Sequence, residues 1–222
     1  MSIYADDGAV ERITRDVLAA GHSIFQIFKL ADGEPDHARM LLRHFRPAVG
    51  AHVVDLGCGV GSVAKLMSEA RPDLRFTLVN ISPSQLALCP PGFPKIAANL
   101  EAVPQPDGAF DAAMLLYSLG HADLDKALRE CARLLAPGGV LLIYDIWVDA
   151  ERDQQRIAGE LDYIAHFPRQ IAHAATRHGF KESMALYSLV ADARDFRELV
   201  GADYCRRMLE GVSPLLLRLV RL

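Results

Sequence analysis

The stretch Val53-Val54-Asp55-Leu56-Gly57-Cys58-Gly59-Val60-Gly61 decides how this chain is read. It is a short apolar strand running into a glycine-rich turn. Ser62-Val63-Ala64-Lys65-Leu66-Met67 then opens a helix with apolar residues at helical spacing. Gly57, Gly59 and Gly61 carry no Cβ, so the backbone can turn sharply and approach a ligand closely. Such a turn lies beyond the carboxyl end of a strand, where open α/β sheets take their ligands. Asp55 places a carboxylate at that strand end.

Downstream, strand and helix patterns alternate. Strands are expected over 75–81, 95–99, 110–117 and 140–145, with helices over 82–88 and 123–135 between them. Ser82 reads as the N-cap of the first of those helices, with Pro83 at its first position. Ala136-Pro137-Gly138-Gly139 reads as the turn before the fifth strand, which is apolar as a central parallel strand should be. A charged amphipathic helix over 149–166, carrying Ile157, Leu161 and Ile164 on one side, makes 147–167 an insertion. A helix from Pro168 to Gly179, a strand over 183–190, a helix over 193–211 and a last strand over 215–222 complete the chain. This alternation predicts βαβ units and a mostly parallel sheet with helices on both faces.

Upstream, 8–31 reads as helix. Val10, Ile13, Val17 and Leu18 form a stripe that Ile24, Ile27, Phe28 and Leu30 continue, and Gly21-His22 is the candidate break. A second helix is expected over 36–45, with Met40, Leu41 and Phe45 inward. These helices precede the first strand. They either only pack on the sheet or close over the ligand site. The expected organisation is one domain over 1–222, a helical cap at 1–48 and a core at 49–222.

At 222 residues and 51% hydrophobic, the chain is long and apolar enough for one sizeable core. A formal charge of −4 and a pI near 6.0 give no overall basic footprint for nucleic acid. No apolar run is long enough to span a bilayer. The first seven residues are acidic and lack the basic-then-apolar order of a signal peptide, so a cytoplasmic location is expected. Cys58, Cys89, Cys131 and Cys205 form no C-x-x-C pair, so no zinc or other metal site is expected.

The spacing from Asp55, D-x-G-x-G-x-G, does not fit the dinucleotide pattern G-x-G-x-x-G, whose last glycine would fall at Ser62. It resembles instead the first motif of the class I S-adenosylmethionine-dependent methyltransferases. Phe110-Asp111 at the fourth strand and Leu134-Leu135-Ala136-Pro137-Gly138-Gly139-Val140 before the fifth are similar to that family's later motifs. The resemblance covers roughly residues 50–222. It implies a Rossmann-like sheet of seven strands with the final strand antiparallel, and S-adenosylmethionine as cofactor. It also implies methyl transfer to a small molecule at oxygen, nitrogen or carbon, with prenyl or terpenoid acceptors one version and a homodimer left open. A non-catalytic cofactor-binding subunit, or a methyltransferase of protein or nucleic acid, is the rival reading.

By the same resemblance, Asp55, Gly57, Cys58, Gly59 and Gly61 would hold the methionine part. Asn80 and Ile81 end the second strand where the family usually has an acid for the ribose hydroxyls. Gln85, in Ser82-x-x-Gln85, would reach the ribose or stand exposed. Asn99 replaces the usual Asp beside adenine, and Leu100 would flank the ring. Tyr117 and His121, just past the fourth strand, are the candidate catalytic residues. His121 would be a base for an oxygen or nitrogen acceptor, or else a helix cap. Tyr117 would orient the methyl group or the acceptor.

Overall fold

The computed structural model describes residues 6–187, 189 and 191–222. Seven strands form one sheet in the order β3-β2-β1-β4-β5-β7-β6. They are β1 (His52–Leu56), β2 (Arg75–Asn80), β3 (Lys95–Ala97), β4 (Phe110–Leu116), β5 (Leu135–Val148), β6 (Phe180–Leu186) and β7 (Val212–Arg221). The first five run parallel, and β7 lies antiparallel to both β5 and β6. Chain order reverses between β1 and β4, which places a crevice at their carboxyl ends.

Side chains alternate across the sheet, because successive residues of a strand face opposite ways. Leu141 and Ile143 of β5 join one core, and Leu142 and Tyr144 the other. The first core is closed by α5 (Leu124–Leu134) and α7 (Pro168–Arg177). α5 buries Ala127, Leu128, Cys131 and Leu134, and each fully buried leucine contributes roughly 1.5–3 kcal/mol. The second core is closed by α2 (Glu34–Phe45), α3 (Ser62–Ala70) and α4 (Pro83–Leu88). At the carboxyl end of β5, Ile146 and Val148 pack with Ile157 of α6 (Glu151–Leu161) and Met208 of α9 (Ala202–Leu209).

Several expectations are corrected. The helix expected over 8–31 is only α1 (Asp7–Ala19), ending at Gly21 with φ 87°. The residues after it are held in a non-helical loop by polar ties. Ser23 and Ile24 donate backbone N–H groups to Glu34, and Leu30 donates to His37 Nδ1. Lys29 bridges to Asp192 through the backbone. Apolar spacing alone carried no sign of these partners.

The Pro-Gly-Gly turn before β5 lies inside the strand, as an irregularity in its pairing between Phe110 and Ala112. Strand β5 also continues through Trp147 and Val148, so the insertion starts later than 147. Ile164 falls outside α6 and is exposed. The helix expected over 193–211 is split at Gly201, φ 87°, into α8 (Arg194–Val200) and α9. Strand β6 begins at Phe180, and residues 188 and 190 of the strand expected there lie outside the described residues. Among the described residues no helix is long and apolar enough to cross a membrane.

Candidate functional site

The glycine turn is fastened to the neighbouring strand. Gly57 and Cys58 both donate to the carbonyl of Val79, at 2.9 and 3.0 Å. All three glycines have positive φ, but for different reasons. A Cβ on Gly57 would meet Ser118 Cβ at 2.4 Å, and one on Gly61 would meet Leu78 Cδ1 at 2.9 Å, so protein packing excludes both. A Cβ on Gly59 would meet only Phe25 Cδ2, at 3.7 Å. Gly59 therefore faces space the protein leaves open.

That space is a cavity of about 350 Å³. Asp55, Gly57, Cys58 and Gly59 line it, and so do Tyr117 and His121. Asp55 is fully buried, and desolvation pushes its carboxyl up to about 7. An ammonium group placed beside it would restore the charged form, so the donor set fits the amino acid part of the expected cofactor. Cys58 Sγ lies 4.0 Å from Cys89 Sγ. Among the described residues no cluster could hold a metal.

The α1 stripe faces this cavity rather than the core. Val10, Ile13, Thr14 and Val17 line it, which is why Ile13 is 49% exposed. The helix is docked on α4 by Asp7, which accepts from the hydroxyls of Ser82 and Ser84, and by Thr14, which accepts from Gln85 Nε2 at 3.0 Å.

Asn80 and Gln85, assigned to the ribose in the sequence, are turned toward each other. Asn80 Nδ2 donates to Gly59 O at 3.1 Å and to Gln85 Oε1 at 2.9 Å, while its Oδ1 accepts from Ser82 N. Asn80 thus ties the glycine turn to α4, and through Gln85 to α1. Ile81 is 49% exposed beside it. Asn99 is exposed at the end of β3 and caps its own turn, accepting from Glu101 N at 2.9 Å. Leu100 is half-buried behind Gly57. Asn80, Ile81, Asn99, Leu100 and Gly61 do not line the cavity that holds Asp55 and Tyr117.

Tyr117 adopts φ 56°, an uncommon conformation for a bulky residue and a mark of local strain. Its hydroxyl accepts from Phe28 N at 3.1 Å and bonds the Tyr144 hydroxyl, which donates to Phe28 O at 2.9 Å. The two phenols clamp the backbone of the loop that follows α1. Burial raises the Tyr117 phenol well above its usual range, so it stays protonated. His121 closes a one-turn 3₁₀ helix (Leu119–His121), edge-on to Tyr163 at 4.7 Å between ring centres. Desolvation lowers its pKa, which leaves a neutral imidazole at pH 7.

Two residues of the site were not singled out in the sequence. Tyr163, just after α6, lines the cavity and donates to Asp145 Oδ1. A Cβ on Gly120 would overlap the Tyr163 ring at 2.2 Å, so Gly120 makes room for it. Asp145 is buried in β5, its second oxygen is unpartnered, and desolvation pushes it up to about 7. A signal existed for Asp145, a lone acid in an apolar strand. None existed for Tyr163.

A family described as a methyltransferase domain matches residues 54–143. Together with the sheet order and the glycine turn, this match supports a class I S-adenosylmethionine-dependent methyltransferase. Among individual relatives, the chain is 35% identical over 161 residues to a trans-aconitate 2-methyltransferase of Methylobacterium nodulans. That match covers 68% of this chain and 60% of the relative. It is 36% identical over 107 residues to a ubiquinone/menaquinone biosynthesis C-methyltransferase of Hahella chejuensis, covering 43% of each. The chain spans 60% to 66% of the length of the trans-aconitate relatives it matches.

In three dimensions it is similar to geranyl diphosphate C-methyltransferase of Streptomyces coelicolor, with a TM-score of 0.78, 17% identity and coverage of 100% and 99% of the two chains. It is equally similar to the [4+2]-cyclase SpnF, with a TM-score of 0.79, 19% identity and coverage of 94% and 92%. One fold thus carries two chemistries, and the activity must be argued from the site.

Proposed function

We propose that the protein transfers a methyl group from S-adenosylmethionine to a small-molecule acceptor. The observation that carries this reading is the Asp55–Gly59 end of the cavity. There a buried carboxylate stands beside the one glycine of the turn that faces open space. When bound, the cofactor supplies an activated methyl group. Asp55 would hold its ammonium, the open side of Gly59 would admit its chain, and Ile81, Asn99 and Leu100 would flank the adenine.

The protein's own contribution is placement and exclusion of water. Holding two reactants in line replaces a bimolecular encounter with an effectively unimolecular one. Tyr117 and the loop it clamps wall the acceptor side. His121, neutral at pH 7, is available to take a proton from an oxygen or nitrogen acceptor. Within one domain, the described residues 6–48 act as a cap on the core that follows. The acidic balance favours a small molecule over nucleic acid. A cytoplasmic location belongs to the same reading, supported by four cysteines that are all unbridged.

Calorimetric titration with S-adenosylhomocysteine, followed by turnover against a small-molecule panel, tests the proposal. Binding with turnover is expected, and His121→Ala should lower kcat by about 10² while leaving cofactor affinity intact. Absence of cofactor binding would refute the reading. Binding without turnover on any acceptor would favour a non-catalytic role.

A further inference from the structure

We infer that the acceptor is an uncharged, largely apolar molecule and that the site rejects carboxylate and phosphate acceptors. The inference rests on the proposed methyl transfer and deepens it.

Away from Asp55 and the glycine turn, most of the cavity wall is hydrocarbon contributed by six elements, with Ser23 and Gln26 among its uncharged polar members. Ile13 and Val17 come from α1, and Phe25 and Ile27 from the clamped loop. Leu116 and Ile146 come from the ends of β4 and β5. Leu161, Phe196 and Leu199 close the far side from α6 and α8. No lysine or arginine is among the described residues that line it.

Lys29, which pairs with the lining residue Asp195, is already held between two carboxylates. Its Nζ lies 2.6 Å from Asp195 and 3.5 Å from Glu34, and its side chain is 6% exposed. His22 also faces Asp195, at 3.6 Å. His121 is held toward the neutral form, and the two lining phenols, Tyr117 and Tyr163, are protonated. The acids at the wall are Asp55, whose partner would be the cofactor's ammonium, and Asp195, already paired with Lys29, so neither gives an anion a partner.

An anionic acceptor entering this cavity would lose its hydration and find no lysine or arginine on the wall to replace it, which is unfavourable. An amine is no better served, because Asp195 is matched by Lys29 and Asp55 lies at the cofactor end. A neutral apolar molecule gains from every wall. The chain therefore departs in acceptor class from relatives whose names specify trans-aconitate, an anion.

The test uses the full chain saturated first with S-adenosylhomocysteine and then with sinefungin, whose amine stands in for the sulfonium charge. The neutral dye N-phenyl-1-naphthylamine is titrated in, and its fluorescence reports an apolar cavity. Saturable one-to-one binding is expected in both states. Neutral geraniol should displace the dye, at concentrations at least tenfold lower than trans-aconitate or geranyl diphosphate. Leu199→Glu, at a partly exposed rim position, should weaken dye binding at least tenfold and leave sinefungin affinity within twofold. Absence of saturable dye binding, displacement by either anion at or below the geraniol concentration, or dye binding indifferent to Leu199→Glu would overturn the inference. Saturable dye binding with the same order of displacement and the same loss in Leu199→Glu, in a protein that binds neither S-adenosylhomocysteine nor sinefungin, would instead remove the methyl-transfer reading and leave the preference of the cavity standing.

Discussion

Replacing Asn80 with Asp restores the acid that the family usually carries at the end of β2, and the structure predicts that it harms the protein without ligand. Asn80 is 4% exposed, and its Nδ2 makes two donor bonds, to Gly59 O and Gln85 Oε1. A carboxylate keeps the bond accepted from Ser82 N but turns an oxygen on both of those acceptors. The Gln85 side can repair itself. Its amide can rotate to donate to the carboxylate, and the Thr14 hydroxyl can then donate in place of accepting. Gly59 O is backbone and keeps only the weak thiol donors of Cys58 and Cys89, each at 3.5 Å. A half-buried acceptor that loses its amide donor and faces a desolvated carboxylate instead costs about 2–3 kcal/mol. For a chain of this size that is a fall in Tm of roughly 5–10 °C.

The loss should depend on pH in a defined direction. Burial raises the pKa of the new Asp in the folded state, so a protonated carboxyl can still donate to Gly59 O at low pH. The penalty is then small below the unfolded value near 4 and grows as pH rises through the folded value. Scanning calorimetry of wild type and Asn80→Asp from pH 4 to pH 8 measures both effects. If a ribose hydroxyl reaches position 80, saturating S-adenosylhomocysteine should narrow the gap by giving the carboxylate its missing donors. An unchanged Tm at pH 7, or a loss that does not vary with pH, would refute the claim that Asn80 ties the turn.

Three further outcomes follow from the same site. Gly59→Val should abolish the thermal shift given by S-adenosylhomocysteine, because a branched Cβ enters the one open flank of the turn at φ 56°; a full shift in a folded variant would remove the motif from the cofactor site. Asp145→Asn should flatten the fall in stability between pH 4 and 7, where the native protein keeps a proton the unfolded chain has lost; the Asp145 contribution approaches 1.4 kcal/mol per pH unit, and Asp55 leaves a similar slope behind, so a profile unchanged by the substitution would contradict a buried neutral Asp145. Tyr117→Phe should leave Phe28 N without its acceptor, at a cost of about 1–3 kcal/mol, and should speed hydrogen exchange across 21–31; unchanged exchange there would show that the loop is held by other contacts.

The sheet was legible because its signals are local and repeated. Each central strand is a short apolar run ended by a turn, and alternation with helices fixes parallel pairing before any contact is known. Errors fell where one spacing serves two structures. The apolar residues at 24, 27, 28 and 30 continue the helical stripe of α1, but the polar groups of Glu34, His37, Tyr117 and Tyr144 hold the segment as a loop. Three of these partners follow the segment within the sequence read as helix or strand, where nothing marked them as its acceptors and donors. Gly201 was absorbed into one helix for the same reason, since a single glycine inside a helical pattern is tolerated more often than it breaks one.

The cofactor end was legible as a motif, and the acceptor end was not. Motif reading assigns each position a ligand contact, and it treated Asn80 and Gln85 as two separate departures from a pattern. The structure joins them to Thr14, and through it to α1, a helix outside the core on which the resemblance rests. Exchanging the acid for an amide at position 80 makes sense only with Gln85 facing it and Thr14 behind. An amide can donate to Gly59 O and Gln85 Oε1 together, which an ionised carboxylate cannot. The same substitution that looks like a weakened ribose contact from β2 alone is the link by which the cap, α4 and the glycine turn are held in one geometry. Restoring Asp at that one position, with Gln85 and Thr14 left in place, therefore disturbs the geometry it was expected to improve.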